Sequence, residues 1–310
     1  MRVVVIGQAA FGEAVLKRLL DEGEEIVGVS APATREGARP DPLRALAEAR
    51  DLPVFTTREL KKAEAFAAYA GVKPDLNVMA FVTDILAEQV LYEPALGTIQ
   101  YHPSLLPRHR GASAMNWAII QGDTRTGLTV FWPDKGIDTG PVLLQKEVEI
   151  TPDDTLGSLY FGKLFDMGVE AMAESVTLVK AGDAPRLPQD ETQATYEPVC
   201  GDEHAAIEWS RPASDVYNLV RGCNPQPAAH TTYQGKRLKI FDCALSNEAA
   251  EGRPGDVIAV NADAFVVGLN GGTLTVHRVQ PEGSAKLKAP EFVEASGMRA
   301  GDRLGEQAAA

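Results

Sequence analysis

Short apolar runs rich in Val and Ile alternate with amphipathic stretches along the first 150 residues of the chain. The spacing predicts four strands and four helices in alternation, the strands at 2–6, 25–30, 76–80 and 97–101 and the helices at 12–20, 42–50, 85–91 and 112–121. Such alternation is typical of parallel strands joined by helices that cover both faces of a sheet. We therefore expect an α/β fold with a Rossmann-like, mostly parallel sheet.

The pattern changes after about residue 200. Before that point it predicts two further strands, at 127–132 and 142–150, and a long helix at 155–180. Beyond it, a helix at 213–220 is followed by short strand-like runs that Gly, Asn and Pro turns separate. We predict two domains, 1–200 and 201–310, joined through the polar, proline-containing stretch 185–195. The second domain is expected to be a smaller β-barrel, OB-like, of about five strands.

The charge balance narrows the classes of partner. The chain has 310 residues, with 30 Lys and Arg against 43 Asp and Glu, which gives a formal net charge of −13. This excludes a generally basic nucleic-acid-binding protein, although a local basic patch stays open. No apolar run approaches the ~20 residues that span a bilayer, so we expect no membrane partner.

The three cysteines bear on the compartment. Cys200, Cys223 and Cys243 are odd in number and lack the CxxC spacing of a zinc site. We expect them to form no close pair and no disulfide framework, and we place the protein in the reducing cytoplasm.

The first strand ends in a glycine-rich turn, IGQAAFG. A dinucleotide-binding turn has the pattern G-x-G-x-x-G, and here Ala9 takes the place of the second glycine. The second strand ends at Ser30 and Ala31, without the acidic residue that binds a ribose. We interpret the turn as a tight strand-to-helix connection.

The densest run of reactive side chains, residues 99–117, reads IQYHPSLLPRHRGASAMNW. Side chains alternate along a strand, so Gln100 and His102 are expected on one face at the carboxyl end of the fourth strand. Open α/β sheets bind their ligands at such strand ends. A histidine in this place is more often structural than catalytic, and by itself it indicates neither role.

A second polar loop, WPDKGIDTGPVLL, carries Asp134 and Asp138 among glycines. Short carboxylates in such company usually close turns, so neither aspartate indicates a function by itself. The two segments together are far more specific than either one.

HPSLLPRHRG followed by GIDTG resembles the 10-formyltetrahydrofolate-dependent formyltransferase family, and most of all the hydrolase domain of 10-formyltetrahydrofolate dehydrogenase. The later segment RGCNPQP also resembles the start of the second domain of methionyl-tRNA formyltransferase. The resemblance implies the formyltransferase fold, with His102 and Asp138 as catalytic residues and Ser104 at the site. Gln100 stands where most of the family has Asn, and we assign it as a third catalytic residue.

The resemblance also implies a folate site. The formyl donor is 10-formyltetrahydrofolate, and no metal is required. Its pterin is expected in a slot lined by Phe81, Ile85 and Leu86 on one side and by Asp134 and Gly136 on the other. Core packing is the competing role for the three apolar side chains.

The possible functions differ in the molecule that accepts the formyl group. Water as acceptor gives a 10-formyltetrahydrofolate hydrolase, which we favour. The two-domain length and the NPQP sequence are typical of a methionyl-tRNA formyltransferase, but residues 201–310 carry 11 basic and 14 acidic side chains, a poor balance for gripping tRNA phosphates. A small-amine or amino-sugar formyltransferase and a non-catalytic folate-binding sensor are the further alternatives.

Overall fold

The computed structural model describes residues 1–248 and 252–306, and the chain divides into two compact units. The first consists of Met1–Gly111, Gly127–Val148 and Lys163–Tyr196. The second consists of Ala112–Thr126, Glu149–Gly162 and the chain from Glu197 onward. The second unit therefore includes two short stretches from the first 200 residues, and the domain boundary at residue 200 stays a prediction.

The helices and strands alternate in the first half of the chain and give way to strands in the second. The helices are α1 (Ala9–Asp21), α2 (Pro42–Ala49), α3 (Ala63–Gly71), α4 (Glu88–Tyr92), α5 (Ala114–Ile120), α6 (Leu156–Leu159), α7 (Phe165–Ala181), α8 (Ala213–Gly222) and α9 (Ala289–Ser296). The strands are β1 (Arg2–Gly7), β2 (Glu25–Ala31), β3 (Val54–Thr56), β4 (Leu76–Ala80), β5 (Thr98–His102), β6 (Arg110–Gly111), β7 (Arg125–Phe131), β8 (Val142–Glu149), β9 (Tyr196–Glu197), β10 (His230–Tyr233), β11 (Lys236–Ile240), β12 (Cys243–Ser246), β13 (Val257–Val260), β14 (Phe265–Leu269), β15 (Gly272–Val276), β16 (Arg278–Pro281) and β17 (Leu287–Lys288).

The first unit is built on a seven-stranded sheet with the order β3-β2-β1-β4-β5-β7-β8. Neighbouring strands from β3 to β5 run parallel, and β7 pairs with β5 in the antiparallel sense. The expected α/β fold with a mostly parallel sheet is confirmed.

The two faces of this sheet bury separate cores, and β1 shows the division clearly. Val3 and Val5 pack with side chains of α1, α2 and α7, whereas Val4 and Ile6 pack with side chains of α3 and α4. Successive side chains of a strand point to opposite faces, so an uninterrupted apolar strand requires helices on both.

Some elements of the first unit differ from their sequence-based prediction. The helix predicted at 85–91 begins later, at Glu88, whose acidic side chain is favourable in a first turn. The pattern also missed β3, which is too short to show a periodicity, and the alanine-rich α3. The helix predicted at 155–180 comprises α6 and α7 with one π-helical turn, Tyr160–Leu164, between them.

The described strands of the second unit form two four-stranded sheets, β10-β11-β16-β17 and β12-β15-β14-β13, which exceeds the five strands expected. Neighbouring strands within both sheets run antiparallel. β15 and β16 are separated only by His277, whose amide donates to the carbonyl of Asp242, and the two strands enter different sheets.

Two of the cysteines lie closer than the sequence indicates. The Sγ atoms of Cys200 and Cys223 are 3.9 Å apart in the core of the second unit, and all three cysteines are free thiols. The expectation that no two cysteines form a close pair is therefore wrong, because the fold joins positions 23 residues apart. In the described residues, no helix is both long and apolar enough to cross a membrane.

Candidate active site

The carboxyl end of β5 presents the first two candidate side chains. Ile99 and Tyr101 point into the core shared with α1 and α7, so Gln100 and His102 share the opposite face, as the alternation of a strand requires. His102 is buried and Gln100 is half-buried. The Gln100 amide makes no hydrogen bond within the residues that the structure describes, which leaves it available to a ligand.

The loop that follows His102 is held by internal hydrogen bonds. The carbonyl of His109 accepts a hydrogen bond from His102 Nε2 at 2.8 Å. A carbonyl can only accept, so Nε2 carries a proton and Nδ1 is the ring nitrogen free to exchange one. The Ser104 hydroxyl is fully buried and donates to the carbonyl of Arg108 at 2.7 Å, so it closes this loop from within.

Asp138 approaches the histidine from the loop after β7. Its Oδ2 lies 3.5 Å from His102 Nδ1 and accepts the backbone N–H of Gly111 at 2.8 Å. Both side chains are nine-tenths buried or more. Gly111 has φ +93°, a conformation that glycine adopts without strain and that directs its N–H at the carboxylate. The structure thus brings the two principal candidates together.

The aspartate loop is closed by its own side chains. Asp134 Oδ1 accepts the N–H of Gly136 at 2.9 Å and also the hydroxyl of Thr139. At Gly140 a Cβ atom would lie 1.8 Å from the carbonyl oxygen of Trp132, so only glycine fits there. Asp134 and Gly136 therefore shape the loop that presents Asp138.

The predicted apolar side of the slot is divided between surface and core. Ile85 is 95% exposed and Phe81 is 43% exposed, whereas Leu86 is buried in the core under α3 and α4. An ion pair of 3.3 Å between Lys135 and Glu88 joins the Asp134–Asp138 loop to the start of α4. The two sides of the predicted slot are thus neighbours, and Phe81 and Ile85 are the side chains open to a ligand.

The stretch 185–195, which the sequence predicts to be a link, is hydrogen-bonded to the loops of this site. Leu187 exchanges two backbone hydrogen bonds with Val142, and Thr195 accepts the N–H of Arg110. The fully buried Arg110 side chain donates to Gln189, Glu191 and the hydroxyl of Tyr196. Its hydrogen bonds with Glu191 raise the pKa of Arg110 and lower that of Glu191, so both stay charged at neutral pH.

Sequence reasoning missed Arg110 and Gln189. Arg110 lies inside the HPSLLPRHRG segment, where its burial has no sequence signature, and Gln189 lies in a stretch with the composition of a linker. Among the described residues, no group of three or more His, Cys, Asp or Glu side chains is arranged to hold a metal.

Two family profiles match this chain. The formyl transferase profile matches residues 1–176, and the profile of the formyl transferase C-terminal domain matches residues 201–297. The chain belongs to the formyl transferase family. The expected family is therefore confirmed, and the fold follows the same division into a sheet-based first part and a β-rich second part.

Two curated relatives with different names are equally similar to this chain. The chain is 39% identical over 306 residues to the cytosolic 10-formyltetrahydrofolate dehydrogenase of Xenopus laevis, with 94% of the chain but only 34% of the relative covered. It thus spans about a third of that relative's length. It is equally 39% identical to the methionyl-tRNA formyltransferase of Symbiobacterium thermophilum, with 98% of this chain and 95% of the relative covered.

Solved structures share the fold at low sequence identity. HypX from Aquifex aeolicus, in complex with tetrahydrofolic acid, has a TM-score of 0.69 and 21% identity, covering 94% of this chain and 47% of its own. An N-formyltransferase from Helicobacter canadensis, in complex with folinic acid and dTDP-3-aminofucose, has a TM-score of 0.68 and 17% identity, covering 90% of this chain and 98% of its own. At these identities the likeness concerns the fold alone.

Proposed function

We propose that the protein removes the formyl group from 10-formyltetrahydrofolate and passes it to water, releasing formate and tetrahydrofolate. The observation that carries this proposal is the buried pair of His102 Nδ1 and Asp138 Oδ2, 3.5 Å apart at the carboxyl end of a central strand. An imidazole beside a carboxylate is the pairing that proton transfer to and from an acyl centre requires.

In the proposed reaction Asp138 accepts a proton from the attacking water and passes it to His102 Nδ1, which lies 3.5 Å from its Oδ2. The oxygen of the tetrahedral intermediate then faces this Nδ1–H and the Gln100 amide. Donors aimed at such an oxygen are typically worth ~3–4 kcal/mol each in the barrier. As the bond between the formyl carbon and the folate nitrogen breaks, the proton on Nδ1 passes to that nitrogen. Tetrahydrofolate leaves, and the formic acid loses its proton to solvent to give formate. The carbonyl of His109 holds the opposite ring nitrogen throughout, which keeps Nδ1 turned towards the reacting groups.

The folate is proposed to lie between Phe81 and Ile85 on one side and the Asp134–Asp138 loop on the other. Phe81 and Ile85 are exposed apolar side chains beside the site, which a pterin or its benzoyl ring would cover. Leu86 acts from below as part of the core. Ser104 contributes by closing the loop that carries His102.

Water is favoured over tRNA because several basic side chains of the second unit already pair with carboxylates or pack on a ring. Arg237 pairs with Asp202, Arg303 with Asp256 and Arg278 with Asp242. The ammonium of Lys286 lies 3.6 Å from the centre of the Phe241 ring. Phosphate binding gains affinity from cations that release counterions, and neutralised arginines contribute little to it.

Methionyl-tRNA formylation is the second candidate, favoured by the 39% identity with a methionyl-tRNA formyltransferase across nearly all of both chains. The same His102–Asp138 pair would then serve an amino group in place of water. A cytoplasmic location stays a prediction from the cysteine content.

A single assay separates the candidates. Purified protein is mixed with 10-formyltetrahydrofolate, with and without methionyl initiator tRNA. We expect formate release without tRNA and no formylmethionine with it. Formylmethionine formed faster than formate would replace the hydrolase by the transferase, and turnover only with an amino sugar would select the small-amine alternative. Folate binding without turnover of any acceptor would identify a sensor.

A further inference from the structure

The side-chain amide of Gln189 joins the two loops of the candidate active site. Its Oε1 accepts from Arg110 Nε at 3.1 Å and from Arg110 Nη2 at 2.8 Å. Its Nε2 donates to the carbonyl of Asp138 at 2.9 Å and to the carbonyl of Gly140 at 2.7 Å. An amide has two donor hydrogens and two acceptor lone pairs, and here all four face these two loops.

The residues on either side of Arg110 make backbone hydrogen bonds to the catalytic pair. The carbonyl of His109, one residue before, accepts from His102 Nε2. The N–H of Gly111, one residue after, donates to Asp138 Oδ2. By holding the Arg110 guanidinium and the Asp138 backbone together, Gln189 fixes the position of both loops at once.

We propose that Gln189 is a positioning residue that sets the separation of His102 Nδ1 and Asp138 Oδ2, an inference that rests on the proposed catalytic pair. An error of about 1 Å in the separation of such a pair costs about 100-fold in rate. Because one amide fixes both loops, its loss should lower the rate of formyl release strongly. No shorter or charged side chain reproduces its pattern of two donors facing carbonyls and one acceptor facing a guanidinium.

The test uses two substitutions and a matched control. Gln189→Glu keeps an acceptor for Arg110 but replaces the donors that face the carbonyls of Asp138 and Gly140, whereas Gln189→Ala removes both contacts. Gln193→Ala is the control, because Gln193 lies in the same segment, is exposed, and donates to Asp190. We expect kcat for formyl release to fall about 10- to 100-fold in both Gln189 variants. The KM for the folate should stay within twofold, and the control should match the wild type.

Amide hydrogen exchange measured by NMR supplies a readout that does not depend on turnover. The Gly111 amide is bonded to Asp138 Oδ2, whereas the neighbouring Arg110 amide is bonded to the carbonyl of Thr195. We expect Gly111 to exchange at least tenfold faster in both Gln189 variants, with Arg110 unchanged.

The outcomes separate the inference from the proposed function. Unchanged Gly111 exchange overturns the positioning role, and so does loss of protection at Arg110 and Gly111 together, which would make Gln189 a support of the whole segment. Faster Gly111 exchange with a wild-type kcat also overturns it. If wild-type protein releases no formyl group while Gly111 exchange responds as expected, the proposed function fails and Gln189 still positions Asp138.

Discussion

Arg110 of the first unit and two arginines of the second lie in opposite kinds of environment. In the first, the Arg110 side chain is fully buried and binds Gln189 and Glu191, about 80 positions further along the chain. In the second, Arg237 and Arg278 form half-exposed pairs with Asp202 and Asp242. Surface pairs of that kind contribute about 0–1 kcal/mol of stability. Arg110 therefore orders a site in the first unit, whereas Arg237 and Arg278 are neutralised at the surface of the second.

The largest effect should come from the site that the first unit orders. His102→Ala and Asp138→Asn are each expected to lower formyl release by about 10³-fold, because proton transfer at the acyl centre is lost. Folate binding, measured by calorimetry, should stay within about threefold if the folate is held mainly by the slot. Turnover close to the wild-type rate in either variant would remove the pair from the mechanism.

The next effect tests whether the backbone at Gly111 belongs to the ordered site. Gly111→Ala strains a residue with φ +93° and displaces the N–H bonded to Asp138, so we expect turnover to fall about 10- to 100-fold. Gly37→Ala is the matched control, since Gly37 has φ +75° and open space around its Cα. Both variants should lose similar stability in thermal unfolding, and equal loss of turnover would assign the effect to strain alone.

A smaller effect is expected where the second unit neutralises its arginines. Asp202→Asn removes the carboxylate beside Arg237 and adds one unit of uncompensated positive charge. Affinity for tRNA, measured by filter binding at low salt, should rise only about two- to threefold and return to the wild-type value as salt screens the added charge. Tight, steeply salt-dependent binding by the wild type would contradict this view of the second unit.

The smallest effect is a pH dependence of stability in the same region. Burial, aided by Arg237, lowers the pKa of His230 from its usual 6.5. The unfolded chain therefore takes up a proton first as the pH falls, so this contribution to the free energy of unfolding is complete above pH 6.5 and is lost below it. His230→Gln should flatten the decline of the melting temperature between pH 7 and pH 5, and an unchanged slope would assign the decline to other groups.

The sequence predicted the sheet well because β1 and β4 are buried on both faces and therefore apolar without interruption. The family resemblance of their motifs also predicted that His102 and Asp138 lie close together, as their distance of 3.5 Å shows. Their catalytic role stays a prediction. The sequence did not predict that the stretch 185–195 is part of the site, because the composition of a polar, proline-containing stretch does not show whether it is a free linker or a hydrogen-bonded segment. The partners of Gln189 lie 49 to 79 residues away, a distance over which local pattern carries no information.

The attachment of that segment has a practical consequence for dissecting the protein. Pro185 accepts the indole N–H of Trp132, and the Arg186 guanidinium stacks 3.7 Å from the centre of the same ring. A fragment that ends at residue 184, shortly after α7, would lack these contacts together with Gln189 and Glu191. An N-terminal fragment must therefore extend through Tyr196 to keep the side-chain partners of Arg110.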